Sequence, residues 1–389
     1  MRKRIGILGA ARSGIAVAEK ALKHGYDVFL SDSNDIDLSN KDLFSKIEYE
    51  SGGHTDKLLK MDILVVSPGI PNNIPILKLA EERNILIMSE IEFAYRHTHP
   101  ETKIIAVTGS NGKSTTVSMI HHLLISEGYN AILAGNIGEA YSSFDIEEKK
   151  DFIVLECSSF QLENIHDFHP DVAIILNITP DHMDRYSSFE DYVKAKHNIF
   201  KNMNKDNDLI INLYTDTSYS KNQNITAAKL AVSAYISEDN INKHIATFKP
   251  LRHRFESVVI KNNIEYINDS KATNTASVIF ALNNINKPTH LILGGSDKGE
   301  DYSVLISNMR NRVKELYLIG STAHKMYEIF NNDFICNIYS SLEEVVKCTK
   351  TKAIPGDVVL LSPACASFDW FKNFEHRGET FCELVKKLI

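Results

Sequence analysis

Short apolar runs of strand length alternate with amphipathic stretches of helix length from one end of this chain to the other. RIGILG (4–9), DVFLSD (27–32), DILVVSPG (62–69), ILIMSE (85–90), KIIAVTG (103–109) and DFIVLEC (151–157) are followed by VAIILNIT (172–179), LIIN (209–212), HLILGG (290–295), ELYLIG (315–320) and VVLLSPA (358–364). A helix between two strands carries the chain back to its starting edge, so successive strands run parallel and helices cover both faces of the sheet. Strands buried on both faces then read as continuous apolar runs rather than as alternating ones. The pattern predicts an α/β fold built on mostly parallel sheets. A chain of 389 residues exceeds one ordinary core. Breaks at HTHPETK (97–103) and TFKPLRHRF (247–255) divide it into three expected domains, 1–100, 101–250 and 251–389.

Composition narrows the function classes. Hydrophobic residues at 43% and charged residues at 24% are the balance of a soluble globular protein. A net charge of -7 argues against general nucleic-acid binding. No apolar stretch approaches the length needed to span a bilayer, and the basic N-terminus leads into a run interrupted by Gly9 and Arg12. The cysteines Cys157, Cys336, Cys348, Cys365 and Cys382 are odd in number and lack a CxxC spacing, which points to a reduced, cytoplasmic protein.

Chemistry concentrates in AVTGSNGKSTTVSM (106–119). The usual phosphate loop, G-x-x-x-x-G-K-[ST], would place a glycine at Val107. A strand, the loop Thr108-Gly109-Ser110-Asn111-Gly112-Lys113-Ser114-Thr115 and a helix would still aim unpaired backbone amides and one ammonium at an anion. Lys113 would neutralise the β- and γ-phosphates, and Ser114 or Thr115 would reach Mg²⁺. Glu156 ends the run DFIVLE, where a metal-holding acid would stand; an ordinary strand-end carboxylate is the plainer alternative. His182 in NITPDHMDRY follows the strand VAIILNI, at the sheet edge where ligands collect. Gly9 to Gly14, with Asp32 closing the next strand, form the frame of a Rossmann nucleotide site or simply a tight strand-to-helix turn; Ala11 stands where a middle glycine would be.

TGSNGKST, GNIG (135–138), ECSSFQLE (156–163), NITPDHMDRY (177–186), YVKAK (192–196), HRFE (253–256), NDSKATN (268–274), LGGSDKG (293–299) and LLSPACASFDWFKNFEHRG (360–378) occur in that order. Together they resemble the Mur ligases. The phosphate loop alone marks the wider family, folylpolyglutamate synthase included, whereas SSFQL, DHMDRY and SPACAS…FKNFE…RG resemble the D-glutamate-adding members. The resemblance implies an N-terminal Rossmann-like domain for a uridine nucleotide, a central ATPase and a C-terminal Rossmann-like domain for the incoming amino acid. It implies that ATP phosphorylates the alanyl carboxylate of UDP-N-acetylmuramoyl-L-alanine and that D-glutamate attacks the acyl phosphate through a tetrahedral intermediate. It implies no nucleic acid, no membrane insertion and a monomer.

Carried over by motif, Lys113 and Ser114 hold phosphates and a first Mg²⁺ that Glu156 shares. His182 supports a second Mg²⁺, and Lys196 carries a CO₂-derived carbamate. A free ammonium beside two Mg²⁺ would be repelled, whereas a carbamate is an anion. Asn224, Arg254, Asp269 and Lys271 resemble ATP contacts, and Thr273, Lys298, Ser367 and Phe374 resemble D-glutamate contacts. Arg12, Ser13, Asp32, Ser33, Ser67, Gly69 and Asn136 fall where the family binds its UDP substrate. The family pattern G-x-H-N-x-x-N-x-x-A-A is altered here, with Gln223 for the histidine and Ala227 for the second asparagine, in a shortened central segment. Other readings are a sister ligase adding a different amino acid or acting on a folate, and a nucleotide-binding homologue with reduced activity. A dehydrogenase built on Gly9–Gly14 would leave residues 108–115 unexplained.

Overall fold

The computed structural model describes residues 2–183, 185–215 and 223–389. Three sheets follow one another along the chain. The first contains β1 (Arg4–Leu8), β2 (Asp27–Ser31), β3 (Glu48–Glu50), β4 (Ile63–Val66) and β5 (Leu86–Ser89), ordered 3-2-1-4-5 and parallel throughout. In the second, β6 (Lys103–Thr108), β7 (Ala131–Gly135), β8 (Phe152–Glu156), β9 (Val172–Ile175) and β10 (Leu209–Asn212) are ordered 10-9-6-8-7, again all parallel. The third comprises β11 (Glu256–Lys261), β12 (Ile264–Asn268), β13 (Thr289–Gly294), β14 (Val313–Ile319), β15 (Cys336–Ile338) and β16 (Val358–Leu361), ordered 11-12-16-13-14-15. Only its β11–β12 hairpin is antiparallel.

The apolar runs read from sequence are all strands of these sheets, the central ones among them, which is the α/β class expected. Ile5, Ile7 and Val65 face one core of the first sheet, while Leu8, Leu64 and Val66 face the other. In the second sheet Ile105, Val107, Val154 and Ile174 pack against Val117, Ile120, Leu123 and Leu124 of the helix Lys113–Glu127. Each such side chain contributes about 1.5–3 kcal/mol on burial. Ala227, Ala228, Ala231 and Val232, on the helix Gln223–Val232, join the same core. Ala227, where the family pattern carries its second asparagine, is therefore a packing residue in this chain.

The chain divides into two compact units, residues 1–178 with 188–248 and residues 179–187 with 249–389. The first two sheets share the first unit. The segment Thr179–Ser187, with His182, packs with the third sheet although it lies within the span 101–250 in sequence. Among the described residues no helix is long and apolar enough to cross a membrane.

Candidate active site

The phosphate loop joins β6 to the helix Lys113–Glu127 at the carboxyl end of the second sheet. Two glycines permit its course. Gly109 has φ +153°, and Gly112, the residue before the helix, has φ +86°. A Cβ on Gly112 would run into Asn224 Oδ1. Asn224 thus lies directly over the loop, and the Thr116 hydroxyl donates to the same oxygen at 3.3 Å. Asn177 braces the opposite side: its Oδ1 accepts from Asn111 N at 2.9 Å, and its Nδ2 donates to Asn111 O at 3.1 Å and Gln223 Oε1 at 3.4 Å. Gln223, an apparent departure from the family pattern, is part of the loop's support.

Two ammonium groups converge on the loop. Lys113 Nζ donates to the carbonyls of Gly109 at 2.7 Å and Ser110 at 2.9 Å. Lys196, on the helix Phe189–His197, is 1% exposed, and its Nζ donates to Gly109 O at 2.9 Å while lying 4.4 Å from the centre of the Tyr192 ring. The Tyr192 hydroxyl is 3.1 Å from Ser110 Oγ. Lys194 on the same helix is exposed.

Glu156 ends β8 opposite Val107, one residue before the loop begins. It is buried; Asn136 Nδ2 donates to its Oε1 at 3.0 Å, and Asn136 N donates to its main-chain oxygen at 2.9 Å. Gly135 has φ +102°, and a Cβ there would strike Glu156 O, so the GNIG turn is shaped around this acid. Asn136 is thereby brought to Glu156. The donor set suits a phosphate–Mg²⁺ group: buried Ser114, a buried carboxylate and the Thr108 hydroxyl, which is buried with no hydrogen-bond partner among the described residues. Among those residues no three His, Cys, Asp or Glu side chains converge. Thr115 is half-buried beside Ser114.

The first sheet carries its own turn. Gly9 has φ +96°, and a Cβ on Gly14 would collide with Gly9 O, so helix Arg12–Lys23 starts tightly against β1. Asp32 Oδ2 accepts from Ala10 N at 2.6 Å, and Asp32 Oδ1 accepts from Asn34 N at 2.8 Å. Ser67 Oγ donates to Gly9 O at 3.3 Å. Arg12 and Ser13 open a helix whose first turn has neither an acid nor a capping side chain, an end that favours an anion. Ser33 and Gly69 lie on the loops after β2 and β4, at the same carboxyl edge.

In the second unit, His182 has φ +59°, unusual for a residue other than glycine. Its Nε2 is 3.7 Å from Asp181 Oδ2, which accepts from Asn274 Nδ2 at 3.2 Å, and Lys298 Nζ is 3.7 Å from Asp181 Oδ1. Glu300, which sequence reasoning did not single out, joins this group. Its Oε2 accepts from Thr275 N at 2.7 Å, while Oε1 is buried with no partner among the described residues. Burial, reinforced by the charge of Asp181 and opposed by that of Lys298, pushes its carboxyl up to about 7. Asp269 accepts from Phe255 N at 3.1 Å and Ser362 Oγ at 2.9 Å, and burial raises it to about 7 against the pull of Arg254. Lys271 Nζ is 3.7 Å from the centre of the Phe374 ring, and Ser367 is buried. Thr273 lies between Lys271 and the helix Thr275–Asn283.

Three family models match the chain: a MurD N-terminal domain over residues 4–74, the Mur ligase middle domain over 107–282, and the Mur ligase glutamate ligase domain over 253–365. The UDP-N-acetylmuramoylalanine–D-glutamate ligases of Cytophaga hutchinsonii and Bacteroides fragilis are 39% and 36% identical to it, covering 100% and 99% of this chain and 100% of each relative. The first alignment runs over 450 positions against 389 residues here, so that relative carries segments this chain lacks. Among solved structures, the UDP-N-acetylmuramate-alanine ligase MurC of Thermotoga maritima shares the fold at TM-score 0.61 and 16% identity, covering 99% of both chains. The MurF ligase of the same organism, in complex with ADP, does so at TM-score 0.60 and 16% identity, covering 100% of this chain and 95% of that one. The chain belongs to the Mur ligase family, and within it to the UDP-N-acetylmuramoylalanine–D-glutamate ligases.

Proposed function

We infer that the protein is an ATP-dependent ligase that joins D-glutamate to the alanyl carboxylate of UDP-N-acetylmuramoyl-L-alanine, releasing ADP and phosphate, in peptidoglycan precursor synthesis. The observation that carries this reading is the likeness to D-glutamate-adding ligases along the whole length of this chain, at 39% identity to one of them. The loop geometry supplies its chemistry. A carboxylate resists nucleophiles until one oxygen becomes a good leaving group, and the γ-phosphoryl of ATP makes it one. The amine of D-glutamate then attacks the acyl phosphate, a tetrahedral intermediate forms, and phosphate departs. Catalysis of this kind is mostly positioning and charge neutralisation.

Thr108 to Thr115 cradle the phosphates with main-chain amides, and Lys113 swings from the loop carbonyls to the β- and γ-phosphates. Ser114 and Glu156 would hold one Mg²⁺, His182 would support a second, and Lys196 would carry a CO₂-derived carbamate. The ions supply positive charge that offsets the anionic phosphates as the phosphoryl group moves. Asn136 keeps Glu156 aimed, and Asn224 closes the other side of the loop. Lys196 reacts with CO₂ through its neutral amine, losing a proton as the N–C bond forms. Its burial beside Gly109 O supports a lysine held for use at the loop rather than a solvated one.

Arg254, Asp269 and Lys271 are assigned to ATP, and Thr273, Lys298, Ser367 and Phe374 to D-glutamate, with Lys298 pairing a substrate carboxylate. Arg12, Ser13, Asp32, Ser33, Ser67, Gly69 and Asn136 are assigned to the UDP substrate. This divides the roles among residues 1–100, 101–250 and 251–389. With ATP and a UDP-linked precursor as substrates, the enzyme works in the cytoplasm, as a monomer. Phosphate release should require Mg²⁺, ATP, UDP-N-acetylmuramoyl-L-alanine and an amino acid together. In a panel of amino acids, preference for L-lysine, diaminopimelate or L-glutamate over D-glutamate would displace this reading in favour of a sister ligase.

A further inference from the structure

Arg377 lies in the first turn of the helix Phe374–Leu388 and is fully buried. Among the described residues its guanidinium makes four hydrogen bonds, all to neutral acceptors on two loops. Nε donates to Ser270 Oγ at 3.0 Å, and Nη2 donates to Ser270 O at 2.8 Å and Cys365 O at 3.0 Å, while Nη1 donates to Ala366 O at 3.1 Å. Burial lowers its pKa only to about 10, so the guanidinium stays charged at neutral pH.

Each acceptor stands next to a residue assigned to the amino acid or to ATP. Ser270 lies between Asp269 and Lys271 and three residues before Thr273; its hydroxyl donates onward to Phe374 O at 2.8 Å. Cys365 and Ala366 lead into Ser367. Ala366 O also accepts from Ser296 N at 2.9 Å, which ties in the loop that bears Lys298. Gly295 makes room for this junction: its φ is +146°, and a Cβ there would lie 3.0 Å from Arg377 Nη1 and against Ala366 O. The clamped turn is itself strained, since Ala364 has φ +60°, a conformation that costs about 1–2 kcal/mol for a residue with a side chain. Such a backbone persists where its surroundings over-determine it.

We propose that Arg377 is the positioning residue of the amino-acid site: one guanidinium fork holds the loops bearing Thr273, Lys298 and Ser367, and the turn bearing Phe374, in the single arrangement that takes a dicarboxylic amino acid. The proposal rests on the assignment of those four residues to D-glutamate. Arg377 touches no substrate itself; it fixes where the donors point. A lysine would keep the charge and lose the planar fork, so it could not serve both loops at once.

The test measures the KM of each substrate for Arg377→Lys, Arg377→Ala and Ser367→Ala, with thermal melting to confirm folding. For Arg377→Lys the KM for D-glutamate rises by about tenfold or more, the scale of one lost charged hydrogen bond in a buried site, while the KM for UDP-N-acetylmuramoyl-L-alanine stays within about twofold. Added guanidinium ion partly restores the D-glutamate KM of Arg377→Ala. A folded Arg377→Lys with an unchanged D-glutamate KM, or a parallel rise in the KM of every substrate, overturns the proposal. Should the Arg377 variants not fold, Ser270→Ala removes the hydroxyl between Arg377 and Phe374. It should raise the same KM by about threefold, the scale of one neutral hydrogen bond, and no change would overturn the proposal equally. An unchanged D-glutamate KM in Ser367→Ala would instead show that the site assignment has failed, whatever Arg377 does.

Discussion

Replacing Asp269 by asparagine should make the ligand-free protein more stable and the enzyme less active. The carboxyl is buried at the end of β12, held by Phe255 N–H and the Ser362 hydroxyl. An amide of the same shape keeps both contacts: its oxygen accepts from Phe255 N–H, and its NH₂ donates to the Ser362 oxygen once that hydroxyl turns. What the substitution removes is a buried negative charge. Burial raises the carboxyl from an ordinary value of 3.8 to about 7, so the folded state holds the proton more tightly than the unfolded chain does. The stability contributed by the protonated acid is complete below about pH 4 and is lost as the pH rises through about 7. A displacement of about three units, each about 1.4 kcal/mol, sets a ceiling of about 4 kcal/mol on the penalty above neutrality. Thermal melting from about pH 5 to about pH 8 should show Asp269→Asn gaining on the parent as pH rises, by about 5 °C or more at the alkaline end. A gain independent of pH, or largest in acid, would refute the reasoning. The loss of ATP turnover in the same variant separates what the acid does for function from what it does to the fold.

Four further outcomes follow from the loop and its neighbours. Lys113→Ala should abolish ATP turnover and weaken ATP binding measured by calorimetry, because the loop loses its only cation within the G-K-[ST] frame. Lys196→Ala should lose most ligation and recover part of it in short carboxylic acids, which can stand in for a carbamate; near-normal activity without rescue would show that this lysine is dispensable. Asn136→Ala should leave Glu156 poorly aimed and raise the Mg²⁺ concentration for half-maximal activity by about threefold to tenfold, the scale of one hydrogen bond to a charged group; an unchanged Mg²⁺ profile would leave Asn136 with a purely structural part. Lys298→Ala should raise the KM for D-glutamate more than that for ATP, and equal rises would place Lys298 elsewhere.

The central strands were legible because burial on both faces leaves unbroken apolar runs, as in Phe152–Glu156 and Val172–Ile175. The edges were not. Glu48–Glu50 is a polar edge strand, Ala131–Gly135 is a half-buried edge strand with alanine and glycine at three of its five positions, and Cys336–Ile338 is only three residues long. The hairpin β11–β12 left a signal that was readable in principle: Asn262-Asn263, with φ values of +52° and +59°, between ESVVIK and IEYIN. The phosphate loop and Lys196 could be read from local motifs, since strand, turn and helix lie together in sequence. Asn177, Tyr192, Glu300 and Arg377 could not be assigned that way. Their parts depend on partners far along the chain, as when Tyr192 meets Ser110 or Arg377 meets Ser270, and no local spacing encodes such a pairing. The altered central helix shows the same limit: Gln223 and Ala227 read as losses in sequence, yet in the fold one contacts the loop's brace and the other fills the core.

The most direct test of the account is a ligation run with UDP-N-acetylmuramoyl-L-alanine labelled with ¹⁸O in its alanyl carboxylate, together with D-glutamate, Mg²⁺ and ATP. Mass spectrometry of both products should show a nucleotide product heavier by one glutamyl residue and one ¹⁸O atom carried into the released phosphate. Release of unlabelled phosphate, or ATP hydrolysis with no gain in substrate mass, would contradict the claim that this chain activates a carboxylate to build an amide bond.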